Sequence, residues 1–247
     1  KTNEDHVGAF PELGLFVVAD GMGGHDDGEV ASRMAIDVVH ERVEPAGFWA
    51  ALLDSERRRA RHEPALDVLR RAIEVANERI YDLGQQRIAE RGGRTMGTTV
   101  IALQCDGGHN VAVWAHVGDS RLYLARGGAL RLLTADHTGH GEYYALAAEE
   151  GLQPEIPITL PHTNQLTRAV GTDAFVDVST GTIDVQAGDR FLLCTDGVSG
   201  MIAPADLEQI LVAGDPLAVT SDRLIQAALA GGGKDNASLV LVEVESL

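Results

Sequence analysis

The chain has 247 residues, 45% of them hydrophobic and 23% charged, which suits a soluble protein of one large domain or two small ones, with length for a sizeable core. Its 37 Asp and Glu outweigh 20 Lys and Arg, and the resulting charge of −17 argues against a nucleic-acid groove, which needs clustered cations. Cys105 and Cys194 are too few for a disulfide framework or a thiolate metal site and fit a reducing, cytoplasmic setting, and no apolar run approaches the roughly 20 residues of a membrane span.

Lys1 opens the chain with neither an initiator Met nor a signal-like segment, as expected of a domain excised from a longer protein. The acidic stretch Asn3-Glu4-Asp5 leads into a strand pair broken at Pro11-Glu12-Leu13-Gly14. The apolar run from Leu15 ends in Asp20, followed by Gly21-Met22-Gly23-Gly24. That pattern predicts a buried strand presenting a carboxylate at the sheet edge, beside backbone bare enough to approach a cation or phosphate. Apolar positions 30, 31, 34, 35, 38 and 39 recur at helical spacing, so a helix is expected from Gly28 to about Arg42. Arg57-Arg58-Arg59-Ala60-Arg61-His62 is the one strongly basic run and reads as a solvated segment. The apolar set 66, 69, 73, 76, 80 and 83 marks a longer amphipathic helix from Pro64 to about Glu90.

Four short strands are expected next, over 98–103, 111–117, 121–126 and 129–133, separated by turns such as Asp106-Gly107-Gly108 and Gly127-Gly128. Spacing this tight permits antiparallel pairing and leaves no room for helical crossovers. Residues 141–150 suit a short helix. Gly151 to Arg168 contains Pro154, Pro157 and Pro161 without periodicity, so 141–168 is expected to form a flap-like insertion in a single domain spanning 1–247. Strands over 176–185 and 190–195, helices over 204–212 and 216–229, and a strand over 237–244 complete the chain. The order predicts an α+β fold with antiparallel sheets inside and helices covering them.

Four acids stand beside apolar strands: Asp20, Asp119 in Gly118-Asp119-Ser120-Arg121, Asp196 after Cys194-Thr195, and Asp235 before the last strand. Each alone is a common turn signal. Together, acids at strand ends can converge on one sheet edge. An oxygen-only set without His or Cys suits Mg²⁺ or Mn²⁺. No EF-hand loop is present. Gly231-Gly232-Gly233-Lys234 lacks the spaced first Gly and the following Ser or Thr of a P-loop. A nucleophilic Ser120 would leave the other acids without a role. His25, His116, His137, His140 and His162 are scattered and take structural or surface roles by default.

Asn3-Glu4-Asp5, Asp20-Gly21-Met22-Gly23-Gly24-His25, Gly97-Thr98-Thr99, Gly118-Asp119-Ser120-Arg121, Leu166-Thr167-Arg168-Ala169-Val170-Gly171, Cys194-Thr195-Asp196-Gly197 and Asp235-Asn236 occur in this order. Together they resemble the type-2C metal-dependent serine/threonine protein phosphatases in their bacterial form, across nearly the whole chain. The resemblance implies a four-layer α-β-β-α sandwich and a binuclear Mn²⁺ or Mg²⁺ centre at one end of it. Carried over by position, Asp20 bridges the two ions and the Gly21 carbonyl binds one of them. Asp196 and Asp235 complete the first ion, while Glu4 and Asp5 help hold the second. A third, weaker ion belongs near Asp119 and Asp196.

Asp20, Asp196 and Asp235 would then carry catalysis, the direct attack of a metal-bridging hydroxide on phosphoserine or phosphothreonine. Phosphoprotein substrates of a Ser/Thr kinase, and a signalling role, follow from the same resemblance. Two other readings stay open: a non-catalytic phosphatase-like binding module, and a metal-dependent hydrolase of another phosphate ester. Two departures stand out. The family's phosphate-binding Arg would fall just before Lys1. Met22 occupies the position where eukaryotic relatives carry a His general acid, which leaves His25 or a metal-bound water as candidate proton donors.

Overall fold

The structure is a computed structural model describing residues 3–23, 26–43, 63–106, 110–150 and 165–245, the side chains of 26, 63, 64, 106, 148 and 149 excepted. The basic run 57–62 and residues 151–164 lie outside the described residues.

The apolar strands look uninterrupted in sequence because both of their faces are covered. In β2 (Leu15–Met22), Leu15, Val17 and Ala19 point outward beneath the helices, while Val18 points inward between the sheets. The first sheet has the order β1 (Asp5–Phe10), β2, β4 (Val100–Asp106), β5 (Val111–Val117), β8 (Ser179–Asp184), with the short β3 (Gly97–Thr98) paired to the end of β2. The second runs β10 (Leu239–Glu243), β9 (Arg190–Cys194), β6 (Arg121–Arg126), β7 (Ala129–Leu132). Every named pairing is antiparallel.

Three apolar layers follow. Helices α1 (Asp26–Arg42) and α2 (Glu63–Arg91) cover the first sheet through Ala31, Ala35, Leu69 and Ile73. Ile101 and Leu103 meet Leu122, Phe191 and Leu193 between the sheets. Helices α5 (Pro204–Val212) and α6 (Leu217–Ala230) cover the second sheet through Leu207, Leu211 and Leu224. Each large side chain buried this completely contributes about 1.5–3 kcal/mol. The expected four-layer α+β sandwich is therefore what the chain forms.

Some boundaries differ from expectation. β2 does not stop at Asp20 but continues to Met22, because Gly21 and Met22 pair with Thr98 and Gly97. Helix α3 (Gly139–Glu149) starts two residues before the predicted 141. The strand expected from Val176 begins only at Ser179, where pairing with His116 starts. Asp196 opens a short helix, α4 (Asp196–Ser199), instead of ending a strand.

Candidate metal centre

The edge strand β1 and its neighbour β2 bring the first acids together. Asp5 and Asp20 are register partners across the pair, so the polar opening of the chain is folded against the Asp-Gly segment. The Asp20 backbone is clamped by Thr98 and Thr99. Its N–H donates to Thr99 Oγ1 at 3.0 Å, and its carbonyl accepts from Thr99 N at 2.9 Å and from Thr98 Oγ1 at 2.9 Å. Gly21 is required by space: an added Cβ would lie 2.1 Å from the Gly28 carbonyl and 2.6 Å from the Glu4 carbonyl.

From the second sheet come Asp196 and Asp235. Thr195, fully buried at the end of β9, donates from Oγ1 to Asp5 Oδ2 at 3.0 Å and accepts the Ser238 N–H at 3.1 Å. One hydroxyl thus fastens Asp5 to the end of β9 just before Asp196 and to the segment between Asp235 and β10. Asn236 Oδ1 accepts the Glu4 N–H at 3.1 Å, tying the N-terminal acids to the same edge. The result is an open cleft of about 670 Å³ walled by Glu4, Asp20, Gly21, Asp119, Asp196 and Asp235, with Met22, Thr99, Leu166 and Asn236 completing it. Asp5 lies beneath it, only 6% exposed.

The electrostatics of this edge are unbalanced. Burial, reinforced by the charges of Asp5, Asp196, Asp119 and Asp235, pushes Asp20 up to about 9. Burial and then Asp196 push Asp119 up to about 6, and Asp5 and Asp196 are also raised, by burial first. Deprotonated, Asp5 Oδ1 and Asp196 Oδ1 are buried oxygens with no donor. Arg121, the cation that acts on Asp119 and Asp196, is already held by Asp136 through two hydrogen bonds of 2.8 and 2.7 Å. Among the described residues, no three acidic, histidine or cysteine side chains are gathered closely enough as they stand to hold an ion. The donor set nevertheless fits hard divalent cations, because it offers several carboxylate oxygens in want of positive charge.

Other chemistries fail here. Ser120 is fully buried and its Oγ lies 2.7 Å from Thr99 Oγ1, so it presents no nucleophile to the cleft. Burial raises both Cys105 and Cys194 to about 12, leaving no thiolate at neutral pH. Gly231 and the positive-φ Gly232 and Gly233 finish helix α6, the opposite polarity to a P-loop. Thr99 and Thr195 fall inside the motifs Gly97-Thr98-Thr99 and Cys194-Thr195-Asp196-Gly197, but the hydrogen bonds they make to Asp20 and Asp5 had no signal in sequence.

Residues 2–230 match the model of the protein phosphatase 2C family. The chain belongs to that family. A Listeria monocytogenes protein named serine/threonine phosphatase stp is 34% identical over 244 residues, 98% of this chain and 90% of its own length. Protein phosphatase PhpP of Streptococcus pneumoniae is 31% identical over 253 residues, 98% of this chain and 92% of its own. The solved serine/threonine phosphatase PstP/Ppp of Mycobacterium tuberculosis superposes with a TM-score of 0.75 at 33% identity, covering 99% of this chain and 93% of that one. A solved PstP catalytic domain in complex with two manganese ions gives a TM-score of 0.74 at 33% identity, with the same coverage. This phosphatase 2C chain is accordingly an enzyme of the protein phosphatase class with a mixed α+β sandwich.

Proposed function

We propose that the chain hydrolyses phosphoserine and phosphothreonine in proteins, with Mn²⁺ or Mg²⁺ held at the carboxylate edge. The observation that carries this reading is the edge itself: acids gathered from both sheets, two of their oxygens buried without a donor, and the neighbouring Arg121 committed to Asp136. Asp20 and Gly21, with Asp196 and Asp235, hold the first ions, assisted by Glu4 and Asp5; Asp119 with Asp196 takes a third. Bound there, the cations supply a water acidic enough for direct attack on phosphorus and a counter-charge for the phosphoryl oxygens.

The chain's own residues set the geometry. Thr99 and Thr98 hold the Asp20 backbone, and Thr195 aims Asp5. Met22 walls the cleft and carries no transferable proton, so the leaving alkoxide takes its proton from water or from His25, which lies outside the described residues. Phosphoproteins made by a Ser/Thr kinase are the substrates, selected in part by the stretch 151–168, of which 151–164 lie outside the described residues, and the setting is cytoplasmic. Among the described residues no helix is long and apolar enough to cross a membrane.

Phosphate release from phosphothreonine peptides tests the reading. It is expected with Mn²⁺, and expected to vanish in excess chelator and in Asp235→Asn. Full activity in chelator would overturn it. Mn²⁺ binding without turnover of any phosphomonoester would favour a binding module. A strong preference for nucleotides over peptides would favour another phosphate-ester hydrolase.

A further inference from the structure

The turn that carries Asp119 cannot hold itself. Gly118 has φ +109, a conformation for glycine alone, and this takes its N–H and C=O out of the sheet ladder. One residue satisfies both. The His137 N–H donates to the Gly118 carbonyl at 2.8 Å, and His137 Nδ1 accepts the Gly118 N–H at 3.1 Å. An accepting Nδ1 requires the proton on Nε2, which donates to Ser179 Oγ at 2.9 Å. His137 is only 2% exposed and lies 4.3 Å, ring centre to ring centre, from the fully buried His116.

Thr99 grips the turn from the opposite side. A Cβ on Gly118 would lie 2.6 Å from Thr99 Cγ2, and Thr99 Oγ1 meets both Ser120 Oγ and the Asp20 N–H. The His137 carbonyl also accepts from Thr167 N at 2.8 Å, and the adjacent Thr138 pairs with Leu166, a wall of the cleft. We infer that His137 is a positioning residue: it sets the Asp119 turn, and with it the spacing between Asp119 and Leu166 across the cleft. The inference rests on the preceding reading of Asp119 as a metal ligand.

Two near-isosteres separate this role from a merely structural one. The amide of Asn reaches the place of Nδ1 and restores an acceptor for Gly118. The amide of Gln reaches the place of Nε2 and restores only the bond to Ser179. Calorimetric Mn²⁺ titration is expected to show the weakest site loosened about tenfold or more in His137→Gln and His137→Ala, the loss typical of a ligand's supporting partner. In His137→Asn and in Ser179→Ala the same site should stay within about threefold of the parent. Equal loss in the Asn and Gln variants, unchanged binding in all of them, or a parent that binds no Mn²⁺ overturns the inference. A test that needs no variant is ¹⁵N NMR of the parent protein before metal is added. It is expected to show Nε2 protonated and a coupling between the Gly118 amide nitrogen and His137 Nδ1; an Nδ1-protonated ring overturns the inference. Neither measurement uses turnover, so a protein that binds Mn²⁺ but lacks phosphatase activity would sink the proposed function and leave this inference standing.

Discussion

Strands β6, β9 and β10 each have one end at the candidate metal centre and the other at the far end of the sandwich, and the two ends treat acids in opposite ways. At the far end Asp189 is 1% exposed in its side chain, yet Arg126 grips it with bonds of 2.7 and 2.5 Å and Gln186 donates a backbone N–H. Beside it Arg190 pairs with Glu243 across β9 and β10. At the near end Asp20, Asp5, Asp119 and Asp196 crowd together, and burial and mutual repulsion raise them all. Acids serving stability are paired within the chain, whereas these are left for charge supplied from outside. A group kept in an unfavourable state by its surroundings is a mark of function.

The widest separation of the two ends should come from Asp20→Asn. We expect phosphatase kcat/KM to fall by about 10³-fold or more, roughly 4 kcal/mol of transition-state stabilisation. The metal-free melting temperature should rise, because a carboxyl raised on folding costs stability once pH exceeds its unfolded value, and Asn has no such proton to take up. A lower metal-free melting temperature would mean that the near end is not electrostatically frustrated. Arg126→Ala should do the reverse. Leaving Asp189 buried without its cation is expected to cost about 3 kcal/mol in urea unfolding, with kcat/KM within about twofold of the parent.

Metal supplies the third comparison. Mn²⁺ at 100 times its dissociation constant should stabilise the parent by about 2.7 kcal/mol, followed by thermal melting with and without chelator. Arg126→Ala should keep that gain and Asp20→Asn should lose most of it. The smallest effect concerns the buried histidines beside the Asp119 turn. Burial lowers His116 to about 3 and His137 to about 4, so the folded protein keeps them neutral while the unfolded chain takes up protons below about 6.5. Their contribution is complete above that pH and declines as pH falls, by up to about 1.4 kcal/mol per unit for each histidine. His116→Leu should flatten the slope of urea stability between pH 7 and pH 5. An unchanged slope would place the acid sensitivity elsewhere.

Much of this was legible in the linear order of residues, for local reasons. The run Leu15-Phe16-Val17-Val18 announces a strand covered on both faces, and the glycines after Asp20 announce a close approach of backbone that Gly28 and Glu4 do make. The helical spacing of positions 66 to 83 marks the helix whose Leu69 and Ile73 are fully buried. What stayed hidden were partnerships between distant segments. Thr195 serves Asp5 across 190 positions, and Asn236 reaches Glu4 across 232. The histidines, given structural roles by default, include one that closes both hydrogen bonds of Gly118. A nucleophilic Ser120 was disfavoured in sequence only because it left the other acids without a role; the physical reason, its buried hydroxyl against Thr99, exists only in the fold.

By itself, then, the amino-acid sequence determined which stretches become strands and helices, that acids stand where strands begin and end, and which family the motifs resemble, because spacing and side-chain chemistry act over a few residues. Tertiary structure alone decided which acids face one another, that Arg121 belongs to Asp136, and that Asp5 is sealed beneath the cleft. Charge repulsion and burial depend on distances through space, and those exist only once the two sheets have closed on each other.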